Sequence, residues 1–175
     1  ENVLLIANRK DLESKSEISN VLKSLHIKSG KVEFISDTVG QAQTAFIGIQ
    51  ILKKINPRSK KVIFHNIDTI LKNINFENIS SILDLYDGYI DIFKANTKNF
   101  SYVESNEQGL VVDIKEKSVI SNMATSGLYC FKDYSIYEEC YIKCNYEKEY
   151  YISSIYKEYL NNNKKIFVDK KLIDS

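Results

Sequence analysis

Lys61-Lys-Val-Ile-Phe-His-Asn-Ile-Asp-Thr69 is the stretch whose reading decides the fold. Its apolar centre, Val62-Ile63-Phe64, is short, β-branched and aromatic, which suits a buried strand of a parallel sheet. Two polar groups, Asn66 and Asp68, follow where that strand runs out. In open α/β sheets ligands bind in the crevice beyond the carboxyl ends of the strands. A carboxylate there can hold a divalent cation against phosphate oxygens. The same Asp68 can also cap the segment that follows, so both roles stand open on this stretch alone.

Working outward towards the amino end, Val3-Leu-Leu-Ile-Ala7 reads as a core strand running into Asn8-Arg9-Lys10. From Asp11, a possible N-cap, Leu12, Ile18, Val21, Leu22 and Leu25 fit one helix face. Lys31–Ile35 alternates like a second strand, and Gln41–Lys54 carries the apolar stripe of a helix that Asn56-Pro57 stops. Towards the carboxyl end the pattern predicts a helix over Glu77–Leu85 and a strand over Tyr89–Phe93. Tyr102–Glu104 and Leu110–Ile114 flank Asn106-Glu-Gln-Gly109, a hairpin signal. Thr125–Phe131 is a further strand, Tyr134–Lys143 and Tyr151–Leu160 are helical, and Lys165–Val168 is a last strand. Strands alternating with helices, then a hairpin, then strands and helices again, define an α/β protein with a mixed sheet.

The bulk numbers exclude several classes. With 24 Lys and Arg against 23 Asp and Glu, the net charge is +1, so no global field favours nucleic acid or a membrane surface. Arg9 and Arg58 are the only arginines, which disfavours an arginine-based reader of bases or phosphates. No apolar run approaches the roughly 20 residues that span a bilayer. Cys130, Cys140 and Cys144 are an odd count without C-x-x-C spacing, which reads as reduced thiols and a cytoplasmic setting. There is no Walker-type loop, no G-x-G-x-x-G and no Ser-His-Asp arrangement.

Three short motifs can carry chemistry. Thr38-Val-Gly40-Gln41-Ala-Gln-Thr44 puts a glycine at a loop-to-helix junction, where free N–H groups can face an anion or a base. It is equally an ordinary turn before a helix. Lys115-Glu116-Lys117 follows the hairpin: a lysine pairs with phosphate as a point charge, and a glutamate accepts from sugar hydroxyls, although a solvated strand end looks the same. Gly127, inside Thr125-Ser-Gly-Leu-Tyr129, signals a close approach by a ligand or by another strand.

The order of these motifs resembles the sugar-phosphate nucleotidyltransferases. The succession is Thr38-x-Gly40-x-Ala-x-Thr44, Asn66-x-Asp68, Ser101-Tyr-Val103, Glu116-Lys117, Ile120-Ser121, Ala124-Thr125, Gly127-x-Tyr129 and Glu149-Tyr-Tyr-Ile-Ser153. The resemblance runs from about Val3 to Asp174 and points to the bacterial branch of capsule and surface-polysaccharide synthesis. It implies a Rossmann-like mixed sheet of the nucleotide-diphospho-sugar transferase (GT-A-like) type in three α/β/α layers. It implies an NTP and a sugar 1-phosphate as partners, an NDP-sugar and pyrophosphate as products, and Mg2+.

By the same resemblance Gly40 meets the base, with Gln41 beside it. Asp68 and Asp174 ligate the metal, Glu116 contacts the sugar and Lys117 the sugar phosphate. Gly127, Thr125 and Glu149 complete the substrate set. The family's Gly-rich loop belongs before Val3 and a Gly-Thr-Pro-like run after Ser175. Residues 1–175 are therefore expected to be a single nucleotidyltransferase-like domain, incomplete at the N-terminus and truncated at the C-terminus, either a fragment or a shortened homologue. Whether it turns over is open, as is a homo-oligomeric state. The alternatives are a non-catalytic nucleotide-sugar-binding module of the same fold and a GT-A glycosyltransferase. The latter is disfavoured because Asn66-Ile-Asp68 supplies only one carboxylate.

Overall fold

The computed structural model describes residues 3–24, 27, 30–72, 74–146 and 149–171. The chain falls into two compact units, Glu1–Arg58 and Ser59–Ser175.

In the first unit β1 (Val3–Asn8) pairs in parallel with β2 (Gly30–Ile35), Val3 opposite Gly30 and Asn8 opposite Ile35. A 3-10 helix (Arg9–Ser14) leads into α1 (Lys15–Ser24). Asn8 rather than Asp11 is the cap: its side chain accepts from the Lys10 N–H at 3.0 Å, and Asp11 sits inside the 3-10 segment at φ −98°. Of the expected stripe, Leu22 is buried while Leu12 and Val21 remain half exposed; Leu25 lies outside the described residues. The last element is α2 (Gln41–Ile55), which buries Ala42, Ala45, Gly48 and Ile49.

The second unit is built on β7 (Met123–Phe131), every residue of which is buried. One edge of β7 pairs antiparallel with β4 (Gly88–Lys94), which pairs in parallel with β8 (Ile166–Phe167). The other edge is shared end to end. β3 (Val62–His65) takes the Leu128–Phe131 half, and β5 (Tyr102–Ser105) meets β7 at Ala124, with β6 (Val111–Lys115) beyond it. The parallel setting expected for Val62–Phe64 is not found: β3 is antiparallel to β7, and only Val62 of the strand is buried. A short apolar run reports burial but carries no information about the direction of its partner.

Side chains alternate across a strand, so β7 addresses opposite layers. Leu128 and Cys130 point to α3 (Phe76–Leu85), packing with its Ile79 and Leu83 and with Tyr89 of β4. Phe131 points the other way, to α4 (Tyr134–Lys143) and α5 (Ile152–Asn161). Its ring stacks on Tyr156 at 4.4 Å and meets Tyr137 and Tyr159 edge-on at 5.0 and 5.3 Å. The second unit is thus a three-layer α/β/α arrangement around a mostly antiparallel mixed sheet. The Tyr156 hydroxyl donates to the carbonyls of Tyr89 and Cys130, both at 3.0 Å, and so ties α5 to two adjacent strands.

All three cysteines are free thiols. Burial pushes Cys140 up to about 12 and also raises Cys130 and Cys144. None is a thiolate nucleophile at neutral pH.

Candidate functional site

Because β3 and β5 share one edge of β7, the end of one strand abuts the start of the other. The Asn66 N–H donates to the Gly127 carbonyl at 3.1 Å, where β3 ends. Two residues earlier along β7, the Thr125 N–H donates to the Ser101 carbonyl at 2.9 Å, just before β5 begins. The chain leaves the sheet on both sides of this short gap, and the polar side chains gather there.

Gly127 has φ +91°, and a Cβ placed on it would lie 2.9 Å from Asn66 Nδ2 and 3.2 Å from Asn66 Cβ and Cγ. The close approach read from the sequence is therefore made by the end of β3. Asp68 occupies the turn after Asn66, fully outside the core, and α3 is capped instead by Asn75, whose side chain accepts from the Asn78 N–H at 2.9 Å. Among the described residues the Asp68 carboxylate has one hydrogen bond, from Thr69 Oγ1 at 3.3 Å.

Glu116 follows β6 and is half buried. One of its carboxylate oxygens, Oε2, accepts from two hydroxyls, Ser101 Oγ and Ser153 Oγ, the latter at 2.8 Å. The Tyr129 phenol lies beside the same carboxylate and shares a 3.0 Å hydrogen bond with the buried Thr125 hydroxyl. Burial and the Glu116 charge both raise the Tyr129 phenol, so it stays protonated. With Oε2 saturated, Oε1 is the glutamate's available acceptor.

Lys117 is exposed and sits in the left-handed region at φ +50°, its N–H donating to the Phe100 carbonyl at 3.1 Å. Such a conformation in a non-glycine residue costs on the order of 1–2 kcal/mol, and here it turns the Lys117 side chain out of the strand path beside Glu116. Lys117 Nζ donates to the Tyr151 hydroxyl at 2.6 Å and lies 4.8 Å from the centre of that ring. The Tyr151 hydroxyl in turn donates to Glu149. The bond to Tyr151, reinforced by the charges of Glu116 and Glu149, raises the Lys117 ammonium further above its ordinary range.

Four of the residues expected from the sequence, Glu116, Lys117, Thr125 and Glu149, are linked here through Tyr129 and Tyr151, and Gly127 lies two positions along β7 from Thr125. Ser101, Ser153, Tyr129 and Tyr151 are additional members. All four stand in stretches that carry the resemblance, Ser101-Tyr-Val103, Gly127-x-Tyr129 and Glu149-Tyr-Tyr-Ile-Ser153, but none is assigned a role by the sequence alone.

Gly40 and Gln41 belong to the first unit. Gly40 precedes α2 with φ +142°, a conformation that favours glycine. The loop is held by the 2.7 Å Thr38–Thr44 hydroxyl pair and by the Val39 N–H donating to Gln43 Oε1 at 2.8 Å. Gly40 itself has no side chain to cap α2, and Gln41 is exposed at the first position of the helix. Asp174 lies outside the described residues. Among the described residues no three His, Cys, Asp or Glu side chains are grouped to hold a metal. The exposed Asp68 carboxylate accepts from Thr69, and such a carboxylate suits a hard cation completing its shell with water and substrate oxygens.

No protein-family model matches the sequence, and no curated protein matches it. Solved structures match throughout. The crystal structure of the nucleoside-diphosphate-sugar pyrophosphorylase from Vibrio cholerae RC9 matches 96% of this chain with a TM-score of 0.83 and 26% identity, over 72% of its own length. A Bacillus anthracis protein assigned as a glucose-1-phosphate thymidylyltransferase, crystallised with sucrose, matches with a TM-score of 0.72 at 15% identity. That match covers 95% of this chain and 66% of the other. UDP-glucose pyrophosphorylase in complex with UDP-glucose gives 0.71 at 16% identity, covering 97% and 73%. The last two share the fold alone. The fold is that of the sugar nucleotidyltransferases, a Rossmann-like mixed α/β sheet.

No described helix is long and apolar enough to cross a membrane.

Proposed function

We propose that this chain carries the sugar-phosphate side of a nucleotidyltransferase, which joins a nucleotidyl group from an NTP to a sugar 1-phosphate and releases pyrophosphate. The observation that carries the reading is the adjacent pair Glu116 and Lys117, a fixed acceptor beside an exposed ammonium. A sugar 1-phosphate presents that combination in mirror image, hydroxyl donors next to an anion. Glu116 Oε1 accepts from a sugar hydroxyl, and the carboxylate cannot swing because Ser101 and Ser153 hold its other oxygen. Lys117 binds the phosphate that acts as nucleophile. No strong base is needed, since that phosphate is already an anion at neutral pH, and positioning supplies most of the rate. Gly40 and Gln41, at the loop-to-helix junction that opens α2, are assigned to the nucleotide.

Asp68 is assigned as a ligand of Mg2+, with Asp174 as its partner. The cation would neutralise charge on the triphosphate. The resemblance to enzymes of surface-polysaccharide synthesis suggests that the product is an activated sugar for such a polymer. A binding module without turnover is the second reading.

The test is pyrophosphate release by the intact protein over a matrix of NTPs and sugar 1-phosphates with Mg2+. One pairing should turn over, and Lys117→Met should lower kcat/KM by about a hundredfold or more, as loss of a charged contact to phosphate does. Binding of an NDP-sugar with no release under any pairing would replace the enzyme by the binding module.

A further inference from the structure

Five other lysines of the described chain make direct contact with a carboxylate at 2.5–3.3 Å: Lys10 with Asp37, Lys31 with Glu33, Lys60 with Asp133, Lys61 with Asp84, and Lys157 with Asp113. Lys117 is arranged differently. Its ammonium donates to a neutral phenol, and that phenol in turn donates a hydrogen bond to the carboxylate of Glu149. Tyr151 therefore stands between the two charges.

We propose that Tyr151 is a positioning residue for Lys117, fixing the tip of the ammonium while keeping it from closing into an ion pair with Glu149, so that the cation stays available to a substrate phosphate. The inference rests on the assignment of Lys117 to the sugar phosphate. An ammonium has three donors; one is committed to Tyr151 and the others remain for the anion. The backbone of Lys117 is already held by its left-handed conformation and its bond to Phe100, so the long flexible stem is the part that needs a stop. The face of the Tyr151 ring supplies part of it through the cation at 4.8 Å. Tyr151 is the residue on which α5 starts, and Ser153, two positions on, holds Glu116. The opening turn of α5 thus fixes both members of the Glu116–Lys117 pair.

Competitive acetylation of the intact protein tests this, reading each lysine by mass spectrometry with inorganic phosphate and glucose 1-phosphate as protecting probes and Lys157 as an internal reference. In the wild type both probes should protect Lys117 selectively. In Tyr151→Phe, half-protection should need about five to ten times more of either probe, the net effect of one lost hydrogen bond. The intrinsic reactivity of Lys117 should also rise, because its raised affinity for the proton depends chiefly on the phenol. Glu149→Gln, which leaves the ring in place, should shift protection in the same direction by less. Wild-type protection with no change in Tyr151→Phe overturns the role of Tyr151 alone. Absence of Lys117 protection in the wild type overturns it together with the assignment of Lys117 to phosphate.

Discussion

Asn66 and Gly127 are in contact through both backbone and side chain: the Asn66 N–H reaches the Gly127 carbonyl at 3.1 Å, and the Asn66 amide fills the space a Gly127 Cβ would need. This pair closes the gap between the end of β3 and the start of β5. Gly127→Ala combines a positive φ with that overlap and should destabilise the chain by about 1–3 kcal/mol. The melting temperature should fall by about 3–10 °C. Asn66→Ala in the same chain removes the amide but leaves the Asn66 Cβ, so the double variant should be less destabilised than the sum of the singles. Strict additivity in thermal unfolding would show that the pair is not coupled.

Asp68 separates position from stability. It is exposed and makes one hydrogen bond, to its neighbour Thr69, so Asp68→Asn should leave stability within about 0.5 kcal/mol of wild type. Under the proposed function it should nonetheless abolish pyrophosphate release. Normal turnover by a well-folded Asp68→Asn protein would remove Asp68 from the metal site.

Tyr156→Phe tests the tie between α5 and the sheet. The ring remains stacked on Phe131, but the hydroxyl shared by the Tyr89 and Cys130 carbonyls is lost. Fully buried carbonyls would be left short of a donor, at a cost of about 1–2 kcal/mol. Chemical denaturation should show a lower midpoint with an unchanged slope.

Asp91 gives a pH dependence. It lies buried on β4 with the Tyr89 and Ser126 hydroxyls on it and His65 nearby. Burial raises its carboxyl above the ordinary range despite those hydrogen bonds. The folded state therefore holds the proton more tightly than the unfolded chain. Its contribution is complete below the ordinary carboxylate range and is lost as pH rises through the elevated folded value. Asp91→Asn should raise the melting temperature at neutral pH and narrow its difference from wild type on acidification. A gap that widens in acid would contradict this.

Local pattern predicted much of the second unit closely. Tyr134–Lys143 is helical over the residues expected, and Asp133 caps it by accepting from the Ser135 N–H at 2.8 Å. The hairpin turns at Asn106, whose side chain accepts from the N–H groups of Gln108 and Leu110. The direction of β3 was not legible, since it is set by pairing with a strand more than sixty residues away. The site divides in the same way. Glu116-Lys117 is visible as a charged pair, whereas Tyr151 and Ser153 reach it across 34 and 37 residues. Both belong to the Glu149-Tyr-Tyr-Ile-Ser153 stretch that carries the resemblance, but nothing local tells which distant side chain each one meets.

The two hydrogen-bonding residues Ser153 and Tyr156 are one turn apart on α5, the first holding Glu116 and the second spanning β4 and β7. The helix is also pinned to β6 by Lys157 on Asp113 at 2.6 Å. Local fraying at the start of α5 is therefore tied to rupture of the central strands, and the region belongs to the last cooperative unit to open rather than the first. Amides around Tyr156, in the middle of α5, should exchange with solvent only through global unfolding, and heat should extinguish sugar-phosphate recognition and tertiary structure at a single temperature.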